Sequence, residues 1–311
     1  MPDAIAVQSV SKRFGDLTAV SQLSFSVPAG CVYGFLGQNG AGKSTMIRML
    51  LTLIAPTAGD IEIFGLNLRR HRKDILRKTG AVIERPDLYK FLSGIENLRL
   101  FARMSGVKLT QKELLQQLDR VGLANRADSP VKTYSQGMKQ RLGIAVALST
   151  DPDLVILDEP MNGLDPQGIA DVRNLILHLS RDLQKTVFVS SHLLNEMELL
   201  ADAMLIIDKG RKIAEGSAGE LFDPAQAIVV VETDNAAAGY EKLKQSSLAE
   251  RIAGRRNEKI VLRGQRDELP MLMQQLTDIG IPVISIASRY SLEDYFLSLT
   301  SYNQHVDTFT N

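Results

Sequence analysis

The chain has 311 residues, enough for two domains, and a hydrophobic content of 44% that suffices to bury sizeable cores. Its 36 Lys+Arg balance 36 Asp+Glu, so the basic excess of a dedicated nucleic-acid binder is absent and no nucleic-acid partner is expected. One cysteine, Cys31, excludes an internal disulfide and suits a reducing cytoplasm, and no paired Cys or His spacing of the zinc type is present.

Met1–Ala6 lacks the basic-then-apolar order of a signal peptide. No apolar run approaches the ~20 residues that span a bilayer, so a membrane role requires a partner. The first ~225 residues alternate short apolar runs with helical patterns, which predicts an α/β sheet. Val32–Leu36 reads as a buried strand with Cys31 as a small core residue beside it, and Met46–Leu53 reads as a helix. Between them lies Gly37-Gln38-Asn39-Gly40-Ala41-Gly42-Lys43-Ser44-Thr45, the G-x-x-x-x-G-K-[ST] spacing in a strand–loop–helix context. Glycines there let backbone N–H groups turn toward phosphate, and the following helix adds its positive end. Lys43 would neutralise β- and γ-phosphates, and the Ser44 hydroxyl would ligate Mg²⁺ of a bound Mg-ATP. The basic run Arg69–Lys73 reads as a solvated face.

From about 87 to 150 the pattern turns helical, as an insert would. Ser93-Gly94-Ile95-Glu96 is a capping box before Leu98, Phe101 and Ala102 at helical spacing, and Lys112–Val121 and Met138–Leu148 follow suit. Leu154–Leu157 is apolar on both faces, as a central parallel strand is, and ends in Asp158-Glu159. A carboxylate there can hold Mg²⁺, the role expected of Asp158, and Glu159 can polarise an attacking water as general base. Asp165-Pro166 reads as a helix N-cap with Pro in the first turn. Thr186–Val189 is a second buried strand. Around Asp223-Pro224 the character changes to a smaller α/β pattern. Strands are expected at Ala227–Val231, Lys259–Leu262 and Pro282–Ile286, and helices at Tyr240–Ile252, Glu268–Ile279 and Ser291–Leu299.

The phosphate loop, the strand ending in Asp158-Glu159 and Tyr134-Ser135-Gln136-Gly137-Met138-Lys139-Gln140-Arg141 together resemble the ABC ATPase family. The last segment is similar to that family's Leu-Ser-Gly-Gly-Gln signature, with Tyr134, Gln136 and Met138 as departures. The resemblance implies a P-loop ABC ATPase core with helical insert over 1–225 and an accessory α/β domain over 226–311. It implies that Ser135 and Gly137 contact the γ-phosphate held by an opposing subunit, so that ATP is bound in a homodimer. Phe14 matches the aromatic that stacks on adenine, and Asp165 belongs to the loop Asn162–Asp165 that crosses the dimer interface. His192, after Ser190-Ser191, matches the histidine that contacts the γ-phosphate. Glu84, in Gly80–Tyr89, stands where the family has a Gln reaching the metal, and is expected to be a metal ligand. The surface around Glu84–Tyr89, with Leu88 and Leu92, is expected to dock a cytoplasmic helix of a transmembrane permease subunit.

That same region, the signature segment and the tail Ser291–Leu297 resemble the bacitracin-resistance and lantibiotic-immunity exporter ATPases. The function implied is an ATPase at the inner face of the cell membrane, powering export of a peptide antibiotic or other amphipathic substrate. A soluble ABC ATPase acting on nucleic acid or ribosomes is the alternative, disfavoured by the zero net charge and the lack of a second cassette.

Overall fold

Two long strands open the chain, β1 (Asp3–Phe14) and β2 (Leu17–Pro28), paired antiparallel across Gly15-Asp16 in a computed structural model that describes residues 3–221, 228–256, 259–264 and 266–289. Ile5, Val7 and Val10 on β1 and Val20, Leu23, Phe25 and Val27 on β2 are buried. Neither strand is among the elements expected from the sequence, because irregularities between Val7 and Val10 and between Val10 and Lys12 break the alternation of period 2. β4 (Ala58–Ile63) and β5 (Leu66–Asn67) complete an antiparallel sheet in the order β2-β1-β4-β5.

The second sheet is built on β3 (Val32–Leu36), β7 (Leu154–Asp158) and β8 (Thr186–Ser191), buried at every position. With β6 (Thr79–Val82), β9 (Ala203–Asp208) and β10 (Arg211–Ser217) they run in the order β10-β9-β3-β8-β7-β6, parallel throughout except for the edge strand β10. Burial on both faces is what a parallel sheet requires. Phe25 of β2 stacks with Tyr33 and Phe35 of β3 and Phe188 of β8 at centroid separations of 6.1, 5.8 and 6.3 Å, so an aromatic seam ties the two sheets. Such ring pairs are each worth about 0.5–1.5 kcal/mol beyond the area they bury.

Helix starts follow from local chemistry. α1 (Lys43–Leu50) begins directly after Gly42, three residues before the expected Met46, and no side chain caps it. α2 (Arg72–Arg77) carries the end of the basic run on an exposed surface. α3 (Gly94–Met104) and α4 (Gln111–Arg120) each start with a complete capping box, Ser93/Glu96 and Thr110/Glu113. α5 (Gln136–Ala147) is capped by Ser135, and α6 (Pro166–Arg181) by Asp165 with Pro166 in the first turn. α7 (Leu194–Leu200) leads back to β9.

The chain divides into two units, Met1–Ala218 and Gly219–Asn311, with the short helix α8 (Ala218–Leu221) at the division. The sequence-expected boundary at 225/226, Ala227 and the helix Ser291–Leu299 lie outside the described residues. The second unit contains β11 (Ile228–Glu232), α9 (Ala236–Lys244), β12 (Ile252–Arg256), β13 (Lys259–Arg263), α10 (Leu269–Asp278) and β14 (Ser285–Arg289). This βαββαβ sequence with antiparallel strand order β12-β13-β11-β14 is a ferredoxin-like sheet. Val229, Val231, Ile260 and Leu262 point into a core with Leu243, Leu272 and Leu276. The helix expected over Tyr240–Ile252 is corrected. α9 stops at Lys244, where the Ser246 hydroxyl donates to the Leu243 carbonyl and accepts from Leu248 N–H, which turns the chain into β12.

Candidate nucleotide site

Three neighbouring strands deliver the site from their carboxyl ends. β3 leads into the loop 37–42, β7 ends in Asp158 and Glu159, and β8 ends at Ser191 before His192. A cleft of about 460 Å³ opens there. Phe14, Asn39, Gly40, Gly42, Lys43, Ser44, Thr45 and Glu159 line it. Four lining residues without any sequence signal join them: Leu17, Thr18 and Ala19 from the β1–β2 hairpin, and Lys209 after β9. They approach only because the strands fold together, which no local pattern announces.

The loop's glycines are set by crowding. Gly42 has φ +106°, and a Cβ there would stand 2.6 Å from the Ala19 carbonyl oxygen. At Gly37 a Cβ would stand 2.5 Å from the Ile207 carbonyl oxygen. Gly37 and Ala41 are buried beneath the loop rather than lining the cleft. With its first turn uncapped and facing this loop, α1 offers the positive end of a helix to an anion.

Lys43 is 6% exposed, and its ammonium donates to the carbonyls of Gly37 at 2.6 Å and Gln38 at 3.3 Å. It also pairs with Glu159 Oε1 at 3.1 Å. The other carboxylate oxygen, Oε2, meets His192 Nδ1 at 2.8 Å. An ionised carboxylate only accepts, so Nδ1 carries the hydrogen in that contact. His192 is therefore joined to the cleft through Glu159. The backbone at Glu159 is left-handed, φ +50°.

Asp158 is 1% exposed. Its Oδ1 accepts from the Ser190 hydroxyl at 2.5 Å, whereas its Oδ2 is buried without a hydrogen-bond partner among the described residues. The orphaned Asp158 oxygen and the hydroxyl of Ser44 in the cleft lining are hard oxygen donors of the kind Mg²⁺ takes. Among the described residues no cluster of three or more His, Cys, Asp or Glu could hold a metal by itself, so the donor set fits an ion shared with phosphate oxygens.

Phe14 is half exposed at the cleft mouth, with Lys12 Nζ 4.9 Å from its ring centroid. Ser135, Gly137 and Asp165 are not among the lining residues. Ser135 is exposed and accepts from Met138 N–H, Gly137 is buried where a Cβ would touch Gly168 of α6, and Asp165 accepts from Gly168 N–H. The exposed carboxylate of Glu84 pairs with Arg48 Nη2 of α1 at 2.9 Å, and neither Glu84 nor Asp158 is among the cleft-lining residues. The backbone turns left-handed at Glu84, φ +56°, and the guanidinium of Arg48 engages the side chain there.

In the insert, Asn97 is fully buried. Its amide donates to the carbonyls of Tyr89 and Ser93 at 3.0 and 2.9 Å, and its Oδ1 accepts from Tyr89 N–H at 2.8 Å. This side chain braces the loop that exposes Tyr89 and Phe91. Tyr134, the signature's first departure, is 4% exposed and donates to the Arg126 carbonyl at 2.6 Å. Burial pushes its phenol above the ordinary value.

Residues 20–162 match the profile of the family described as "ABC transporter". The chain is 39% identical to the bacitracin transport ATP-binding protein BcrA of Bacillus licheniformis, over 96% of this chain and 98% of that one. It is 42% identical to the lantibiotic transport ATP-binding protein SrtF of Streptococcus pyogenes, over 68% of this chain and 90% of that one. A solved structure described as a dimeric, post-hydrolysis ATP-binding cassette bound to ADP and Pi superposes with a TM-score of 0.61 at 24% identity, covering 69% of this chain and 98% of that one.

Proposed function

Because this chain belongs to the ABC transporter family as an ATP-binding, ATP-hydrolysing subunit, we propose that it powers a separate transmembrane permease exporting a peptide antibiotic or other amphipathic molecule. The single observation that carries the chemistry is the Lys43–Glu159–His192 chain at the cleft, with Asp158 beside it. In this reading the γ-phosphate draws Lys43 from Glu159, since phosphate oxygens offer it more negative charge than one carboxylate. Glu159 Oε1 then accepts a proton from water as the water oxygen bonds to the γ-phosphorus. The bond from that phosphorus to the β,γ-bridging oxygen breaks, and ADP and phosphate leave. His192 holds Glu159 from the far side. Ser44 and Asp158 would hold Mg²⁺, which would neutralise charge developing on the phosphate oxygens.

The composite dimer is also a proposal. Ser135 and Gly137 lie outside their own chain's cleft, so a second copy related by a two-fold axis would present them to the γ-phosphate. The dimeric state of the structural relative supports the reading. Phe91, 85% exposed, and Tyr89, 53% exposed, form with Leu88 and Leu92 the apolar surface proposed for a cytoplasmic helix of the permease. Among the described residues no helix is long and apolar enough to cross a membrane, and a place at the inner face of the cell membrane is proposed through that permease.

The test is to express the chain with a candidate transmembrane permease in a sensitive host, and to measure susceptibility to bacitracin and lantibiotics. Protection that disappears in Glu159→Gln is expected. Phosphate release from Mg-ATP without protection against any such peptide would overturn the exporter reading while leaving the ATPase intact.

A further inference from the structure

Ser190 has no part in the reaction described so far, yet it touches both acids. It is fully buried near the end of β8, in parallel register with Asp158 on β7, so the two side chains leave the sheet on the same side. Its Oγ accepts from Glu159 N–H at 2.9 Å, and its carbonyl oxygen takes a second, longer share of the same N–H at 3.2 Å. A backbone N–H can only donate, so the hydroxyl must send its own hydrogen elsewhere. It goes to Asp158 Oδ1 at 2.5 Å. One hydroxyl thus fixes the rotamer of the first acid and the left-handed backbone, φ +50°, of the second.

We propose that Ser190 is a positioning residue that divides the labour of the two carboxylates. Occupying Oδ1 leaves Oδ2 as the free, buried oxygen of Asp158 for a metal ion. Pinning the amide of Glu159 holds its side chain between Lys43 and His192, where it can receive the proton of water. Alanine at this position would leave both oxygens of a buried Asp158 without a partner and Glu159 N–H with its longer bond only. The proposal rests on the ATPase reading of the cleft and deepens it. Hydrogen-bond partners of metal ligands characteristically change metal affinity or activity by about 10–100-fold when removed.

The experiment compares Ser190→Ala and Ser190→Thr, each in a Glu159→Gln parent that does not turn over, by calorimetry of ATP binding in EDTA and across a Mg²⁺ series. Thermal unfolding is recorded for each protein. Ser190→Ala is expected to keep ATP affinity in EDTA within about twofold, and to need on the order of 10-fold more Mg²⁺ for half-maximal enhancement. Ser190→Thr, which keeps the hydroxyl, is expected to restore the Mg²⁺ midpoint even where its added methyl lowers the unfolding temperature. In the otherwise native chain, Ser190→Ala is expected to lower kcat about 10-fold or more at saturating Mg²⁺. A lowered unfolding temperature in Ser190→Ala with the parental Mg²⁺ midpoint and native kcat would show a purely structural serine and overturn the proposal. If Ser190→Ala does not fold, the Thr variant decides: a displaced Mg²⁺ midpoint despite the retained hydroxyl overturns it. A parent that binds no ATP under any condition overturns the cleft reading as well, so the two failures are told apart.

Discussion

At the scale of single residues, charge placement decides the outcome. Lys43→Ala removes the buried cation of the phosphate loop and leaves Glu159 Oε1 without its ion partner. A charge-assisted contact is worth roughly 1.5–3 kcal/mol, so ATP affinity measured by calorimetry is expected to fall on the order of 100-fold. Unchanged affinity would remove the lysine from the phosphate site. Glu84 behaves differently. Its pair with Arg48 is exposed on both sides, and such pairs contribute ~0–1 kcal/mol. So weak a pair leaves the carboxylate available to a metal ion: Glu84→Gln is expected to raise the Mg²⁺ concentration for half-maximal hydrolysis, and an unchanged requirement would leave Glu84 as a surface partner of Arg48 alone. Cys31 supplies a pH prediction. Burial, reinforced by the negative charge of Asp202, pushes its thiol from 9.0 to about 11. A thiol whose folded value lies above its unfolded one favours folding while protonated. That contribution is complete below pH 9 and is lost as pH rises toward 11. Cys31 is expected to resist iodoacetamide at pH 8 in the folded chain and to react at the rate of a free thiol in denaturant.

At the scale of elements, the caps and buried strands are written locally, and the bracing contacts are not. Ser93/Glu96, Ser135 and Asp165-Pro166 each announce a helix start that α3, α5 and α6 possess, because capping joins residues three apart. β3 and β7 are legible as unbroken apolar runs. β1 and β2 are not, since their irregular register mixes the two faces in sequence. β12 escapes because Gly254, Arg255 and Arg256 carry no alternation. The phosphate loop and the Asp158-Glu159 pair are legible because each is contiguous. Lys209, the 17–19 hairpin and Ser190 are not, since their chemistry exists only across strands. Asn97 belongs with them. Removing it leaves the Tyr89 N–H and several loop carbonyls without their buried partner, a loss of about 1–3 kcal/mol. Asn97→Ala is expected to lower the unfolding temperature while ATP affinity stays native, because Asn97 lies in the insert away from the cleft lining. A parallel loss of ATP affinity would show that the insert and the cleft are not separable in this way. Phe91→Glu addresses the same loop from outside. It is expected to abolish export while phosphate release continues, and full export by this variant would exclude the loop as the permease contact.

At the scale of the whole molecule, the proposed unit of function is two chains. Glu159→Gln is expected to bind Mg-ATP and to sediment as a dimer, since binding survives while activation of water is lost. A monomer under saturating Mg-ATP would exclude a site shared with the partner's Ser135 and Gly137. The strand order carries a further consequence, for synthesis. β3 is flanked on one side by β8 and on the other by β9, both encoded far downstream of it. At ~5–20 residues per second on the ribosome, the roughly 150 residues that separate β3 from β8 take on the order of ten seconds to emerge. Through that interval Val32, Tyr33, Phe35 and Leu36 have neither edge partner. Nascent chains arrested before Thr186 therefore carry an open, apolar strand at their centre, and are the species a ribosome-associated chaperone is expected to hold.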